Sequence, residues 1–199
     1  MAKRQKRNPG DRFPLLVYRP LMERWGNLGL LSAIITFVLW LMAPQVLPSR
    51  FGQSLLRHAI LLPTLAGLLL FLYGLAARKL TYVRCYPKYL HIRSPIMPLN
   101  ISYQRVAGTR PVQMARMFDI EEDRLARNTW PERYWGMTAV AVDLNSLPPN
   151  TSEAFLRLWL DKHLFNHERL GFIFLVEDWK EFSRQLTAAL SAYRAARTR

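Results

Sequence analysis

The chain has 199 residues, 28 Lys/Arg against 14 Asp/Glu, a net charge of +14 and one cysteine. Its length leaves room for one compact domain of about 120 residues beside any membrane segment. The lone Cys85 excludes an intrachain disulfide and suits a reducing compartment.

The charge is densest at the start. Residues 1–24 carry seven Lys/Arg against Asp11 and Glu23, whereas residues 78–199 carry nineteen against twelve acids, with the signs interleaved. A nucleic-acid surface favours a concentrated basic stripe, so no nucleic-acid partner is expected. Residues 1–24 form a basic cytoplasmic arm in which Pro9, Gly10, Pro14 and Pro20 are spaced too closely for one helix. Anionic headgroups attract each membrane-proximal Lys or Arg by about 1 kcal/mol. Lys3, Arg4, Lys6, Arg7 and Arg12 are therefore candidate membrane-surface contacts, with Lys79, Arg84 and Lys88 beyond the next segment.

Residues 25–79 hold two uncharged apolar runs, Trp25 to Ser49 and Ala59 to Ala77. Each has about the 20 residues that a helix needs to cross a bilayer core, which predicts a two-span transmembrane hairpin. Lys and Arg stay on the cytoplasmic side. The basic arm and Arg78, Lys79, Arg84 and Lys88 thus predict cytoplasmic termini, with residues 47–56 outside, in the inner (plasma) membrane. Small residues let helices approach in lipid, and antiparallel pairing predicts Gly29, Ser32 and Ala33 at the depth of Gly74, Ala76 and Ala77. Neither span has an ionisable residue at its centre, which argues against a transporter, channel or intramembrane protease.

From residue 80 the period changes. Leu80 to Tyr86 and Tyr89 to Arg93 alternate in polarity around Pro87-Lys88 and predict a β-hairpin. Leu99 to Val106 predicts a third strand, followed by a polar connection, Met114 to Pro131, that carries Asp119, Glu121, Glu122 and Asp123. Gly136 to Leu144 predicts a strand, Ser152 to Phe165 an amphipathic helix, and Gly171 to Val176 a short strand. The final helix has Asp178 as cap, Glu181 three residues on, and Trp179, Phe182, Leu186, Ala189, Leu190 and Tyr193 on one face.

Two spans, a basic stop, LTYVRCYPKYLHIRSPIM and then ISYQRVAGTRPV resemble the PH-like domain of small bacterial membrane proteins. Ile101, Tyr103, Val106, Arg110 and Pro111 carry the likeness, while Ser102 stands where that family usually has proline. The resemblance implies that residues 80–199 form an α+β cytoplasmic domain, a bent antiparallel sheet capped by the C-terminal helix. It implies no phosphoinositide activity, because fold does not settle function.

Motifs for enzymatic chemistry are missing from the sequence: there is no Gly-rich phosphate loop, HExxH, GxSxG or CxxC. His163 and His167, with Asp161 and Glu168 beside them, have a metal-like spacing but lack a nameable third ligand, and are expected as a solvated pair. Neither a catalytic residue nor a cofactor nor a metal is expected. The function these features predict is that of a membrane-anchored, non-enzymatic interaction module, whose domain binds a protein partner or the anionic membrane surface. The alternative is an accessory subunit of a membrane enzyme or transporter complex.

Overall fold

The structure, a computed structural model, describes residues 10–46, 53–118, 132–149 and 151–197. The chain divides into two compact units, Met1–Pro20 with Leu80–Arg199, and Leu21–Lys79. The acidic connection from Asp119 to Asp123 lies outside the described residues.

Helices α1 (Tyr18–Val46) and α2 (Gln53–Leu80) supply the second unit, and both are long and apolar enough to cross a membrane. Helix α1 starts seven residues before Trp25, because Pro20 sits in its first turn, where an N–H has no intrahelical acceptor to lose. Backbones meet closely: a Cβ on Gly29 would lie 2.7 Å from the Gly67 carbonyl oxygen, and one on Gly67 would lie 2.6 Å from that of Gly29. Two turns beyond Gly29 on α1, and one before Gly67 on α2, the Thr36 and Thr64 hydroxyls are hydrogen-bonded at 2.8 Å. The pairing differs from the expected one. Gly29 meets Gly67, and Gly74 meets Met22 and Gly26, because α2 begins six residues before Ala59 and slides the register by about two turns.

In the first unit, β1 (Arg12–Pro14), β2 (Tyr82–Cys85), β3 (Tyr89–Arg93) and β4 (Pro98–Ser102) form an antiparallel sheet in that order. Strands β5 (Val106–Gln113), β6 (Thr138–Leu144) and β7 (Gly171–Phe174) form a second one. The β2–β3 hairpin and β6 stand where alternation placed them. Strand β1 does not follow from the sequence pattern: residues 10–20, expected within a basic arm, belong to the domain. Phe13 is fully buried, with its ring 5.2 Å from that of Phe182.

The run Leu99 to Val106 is not one strand. Ser102 caps a single 3-10 turn, Tyr103–Arg105, that breaks it at the corner where the chain leaves one sheet for the other. Ile101, Tyr103 and Val106 are all buried at that corner. The helix expected over Ser152 to Phe165 also stops early. Helix α3 (Glu153–Trp159) ends at an extended Leu160, and Asp161 caps a separate 3-10 turn, Lys162–Leu164. Leu156, Leu160 and Leu164 are all buried although they belong to two separate elements.

The core takes Val83, Leu90, Ile92 and Ile101 from the first sheet, Val140, Val142, Phe172 and Phe174 from the second, and Phe182, Leu186 and Leu190 from α4 (Trp179–Arg197). Helix α4 starts as expected, with the Glu181 N–H donating to the Asp178 carboxylate at 3.1 Å. The Glu181 carboxylate itself turns to Arg184 and Gln185. The segments after β1 and β7 join the two sheets, through a bridge between Leu15 and Val176 and a 2.9 Å hydrogen bond from the Leu16 N–H to the Leu175 carbonyl. At the β6–β7 pairing Gly171 lies against the backbone of Val142 so closely that any Cβ would strike its carbonyl oxygen.

Candidate functional site

Side chains alternate across a strand, and directly paired residues of antiparallel strands share a face. In the first sheet one face carries Phe13, Val83, Cys85, Leu90, Ile92, Leu99 and Ile101, all buried. The register sets a very different row on the other: Arg12 opposite Arg84, Arg84 opposite His91, and His91 opposite Asn100. The flanking rows bring Tyr82 and Tyr89 to the same face.

The row is held by rings and one strong hydrogen bond. The Arg12 guanidinium lies 4.8 Å from the Tyr82 ring centre, and that of Arg84 lies 4.8 Å from the Tyr86 ring. Tyr86 stacks on Tyr89 at 4.9 Å and meets His91 edge-on at 6.0 Å. His91 Nδ1 and Asn100 Oδ1 are 2.6 Å apart, so Nδ1–H donates to the amide oxygen. No Asp or Glu occurs in β1 to β4, and among the described residues no carboxylate pairs with Arg12 or Arg84. The buried Nε of Arg84 has no hydrogen-bond acceptor.

Like charges directly opposite across a strand pair cost roughly 0.2–1 kcal/mol. Each guanidinium–ring contact returns about 0.5–1 kcal/mol at an exposed site. The tyrosines therefore keep two arginines, neither paired with a carboxylate among the described residues, side by side without consuming their charge. Such a face attracts anions and planar groups.

A cavity of about 410 Å³ adjoins Arg84, lined by Gly10, Tyr86 and Pro87 on the sheet side and by Arg184, Ala188 and Ala189 of α4. It borders the end of β2 with which β1, only three residues long, does not pair: β1 pairs with Tyr82 to Arg84 and stops short of Cys85. Gly10, at a φ of +85° that favours glycine, turns the chain past the Arg84 guanidinium. The two cations at the cavity differ. Arg184 is tied to Glu181 by two hydrogen bonds, whereas Arg84 has no carboxylate partner among the described residues.

Of the residues expected at a membrane surface, Lys3, Arg4, Lys6 and Arg7 lie outside the described residues. Arg12 and Arg84 are brought together, and Lys88 is exposed on the turn of the same β2–β3 hairpin. Lys79 is exposed in the last turn of α2, in the other unit. The sequence does not single out Tyr82, Tyr86, Tyr89, His91 and Asn100, although the alternation of Tyr82, Arg84 and Tyr86 already puts two of them on the face of Arg84.

No protein-family model, curated protein or solved structure matches this chain. The geometry of the residues carries the functional argument.

The histidine pair is not the solvated one expected. His163 is buried, donates from Nδ1 to Asp161 at 2.8 Å, and packs beside Phe118 at 5.1 Å. His167 is exposed, and desolvation, then Arg157, push its pKa below the usual histidine value. Among the described residues no three His, Cys, Asp or Glu side chains converge as a metal site would require. Cys85 is buried, and desolvation pushes its thiol up to about 12. Burial, with Cys85 beside it, likewise holds the Tyr103 hydroxyl above the ordinary tyrosine value.

Proposed function

We propose that the protein is a membrane-anchored, non-enzymatic interaction module of PH-like fold, whose basic, aromatic sheet face captures an acidic segment of a protein partner in a membrane complex. Two apolar helices flanked by basic residues support the anchor, with both termini in the cytoplasm. Four plus three antiparallel strands followed by a C-terminal helix support the PH-like reading, in which the hairpin is an insertion between the first two strands.

The observation that carries the binding role is the row Arg12–Arg84–His91–Asn100, framed by tyrosines and opening onto a cavity. A concave cavity beside an unpaired arginine suits a carboxylate side chain on an extended segment better than it suits a flat bilayer. Tyrosine and arginine are the residue types that dominate binding energy at protein interfaces. The anchor holds the domain near other membrane components, so modest contacts act at high effective concentration.

The test is mild detergent extraction of the tagged chain from its native membranes, followed by identification of what co-purifies. An acidic partner should be recovered with the native chain, and should be lost from a chain carrying Arg12→Glu and Arg84→Glu with unchanged thermal stability. Equal recovery with both chains would remove the face from the account. Recovery of anionic lipid alone, released by raised salt, would assign the face to the leaflet instead.

A further inference from the structure

We propose that α3 is an interfacial helix, whose exposed Phe155, Leu158 and Trp159 enter the boundary between headgroups and acyl chains of the bilayer that holds α1 and α2. The inference rests on the membrane-anchored reading above and extends it to a second surface of the domain.

The seven residues of α3 divide cleanly. Leu156 is fully buried, and so is the helix cap Leu160, which together fix the element to the domain. Phe155, Leu158 and Trp159, at spacings of three and four, share one exposed side. They are 43%, 75% and 38% exposed. Leu158 exposes a larger fraction of itself than Leu62 at 69% or Leu69 at 58%, which belong to the apolar helix α2. A domain buried on its own account has no use for a leucine and a tryptophan held out together on one side of a capped helix, whereas an element that meets a second phase does.

What that phase is follows from the surroundings. The single acid of α3, Glu153, is paired with Arg157 at 2.7 Å, and Lys162 and Arg169 are exposed on the segments that follow, Arg169 within 3.6 Å of the Asp143 carboxylate. Aromatic and aliphatic side chains edged by Lys and Arg are the composition of helices that lie in the membrane interface. The position in the chain agrees. Directly after α3, the Asp161 N–H donates to the Tyr18 hydroxyl at 3.4 Å, and Tyr18 is the first residue of α1. Next to it Arg19 pairs with Glu177 at 3.0 Å. The loop that ends α3 is therefore tied to Tyr18, seven residues before the apolar run that starts at Trp25 and, on the anchored reading, on the cytoplasmic side of it.

The experiment uses the full chain in liposomes of phosphatidylethanolamine and phosphatidylglycerol. A nitroxide is attached in separate samples at Leu158→Cys, Leu39→Cys and Thr187→Cys, with buried Cys85 left in place and the chain without added cysteine as labelling blank. All three positions are exposed, so the substitutions leave the fold intact. Collision with oxygen over collision with a water-soluble nickel chelate reports depth. The ratio at 158 is expected to be severalfold above that at 187 and on the side of the lipid reference at 39. A ratio at 158 equal to that at 187, with 39 still in lipid, would overturn the interfacial helix and leave the anchor standing. Shielding of 158 from both reagents would overturn it in favour of a protein or a second copy of the chain on this side. A water-like ratio at 39 would remove the anchor and the inference together.

Discussion

Truncating Phe13 to alanine tests whether the N-terminal segment is part of the domain. Phe13 is fully buried, pairs with Val83 across β1 and β2, and its ring lies 5.2 Å from Phe182, which is itself fully buried. Replacing a core phenylalanine by alanine removes its transfer energy and leaves a cavity, together about 3–5 kcal/mol. Against a typical domain stability of about 5–15 kcal/mol, that is a large fraction. At roughly 3–5 °C per kcal/mol for a domain of this size, the expected fall in Tm is about 10–25 °C. The paired control is Arg12→Ala, one residue away and exposed. It loses a ring contact with Tyr82 but also relieves repulsion with Arg84, so its net effect should be within about 1 kcal/mol. Both are measured by thermal melts of the full chain in detergent, followed by near-ultraviolet circular dichroism. Equal, small shifts for the two variants would refute the placement of β1 in the sheet and return residues 10–17 to a loose arm.

The close helix approach predicts that Gly67→Leu separates α1 and α2, since its Cβ would stand 2.6 Å from the Gly29 oxygen and 3.0 Å from the Ala33 nitrogen. Overpacking of this kind costs about 1–3 kcal/mol. Disulfide trapping between Thr36→Cys and Thr64→Cys should succeed in the native background and fail beside Gly67→Leu; unchanged trapping would contradict the register. The domain should also lose stability in alkali. Cys85 and Tyr103 both keep their protons to higher pH in the folded state than in the unfolded chain. Above about pH 9 the unfolded state therefore binds fewer protons, and stability falls as pH rises toward about 12. Denaturant midpoints at rising pH should decline more steeply in the native chain than in a chain with Cys85→Ala and Tyr103→Phe.

What local pattern encodes, the sequence displays. Alternation over Tyr82 to Cys85 and Tyr89 to Arg93 follows from one buried and one outward face, and the apolar stripe of α4 follows from packing on one side. The break within Leu99 to Val106 is less visible, because alternation runs through Leu99, Ile101 and Tyr103, and the step of three from Tyr103 to Val106 is the one local mark of the 3-10 turn after Ser102. In the segment from Ser152 to Phe165, the leucine spacing of a helix comes from two elements that bury into the same core. Strand β1 has only three residues, Pro14 among them, and its burial comes from β2, some seventy residues away, and from Phe182, farther still along the chain. The candidate site is of that last type. Arg12, Arg84, His91 and Asn100 lie on four strands, and nothing local to any one of them sets the register that aligns them.

The central claim is that this aligned face binds an acidic protein partner. It is tested most directly by placing a photoreactive phenylalanine analogue at Tyr86, beside Arg84 and the cavity, and irradiating native membranes. A matched probe at exposed Thr187 of α4 serves as reference. The account predicts one discrete protein adduct from position 86, weakened by added salt and lost with Arg84→Glu, and none from position 187. Cross-linking only to lipid from position 86, or the same adducts from both positions, would contradict it.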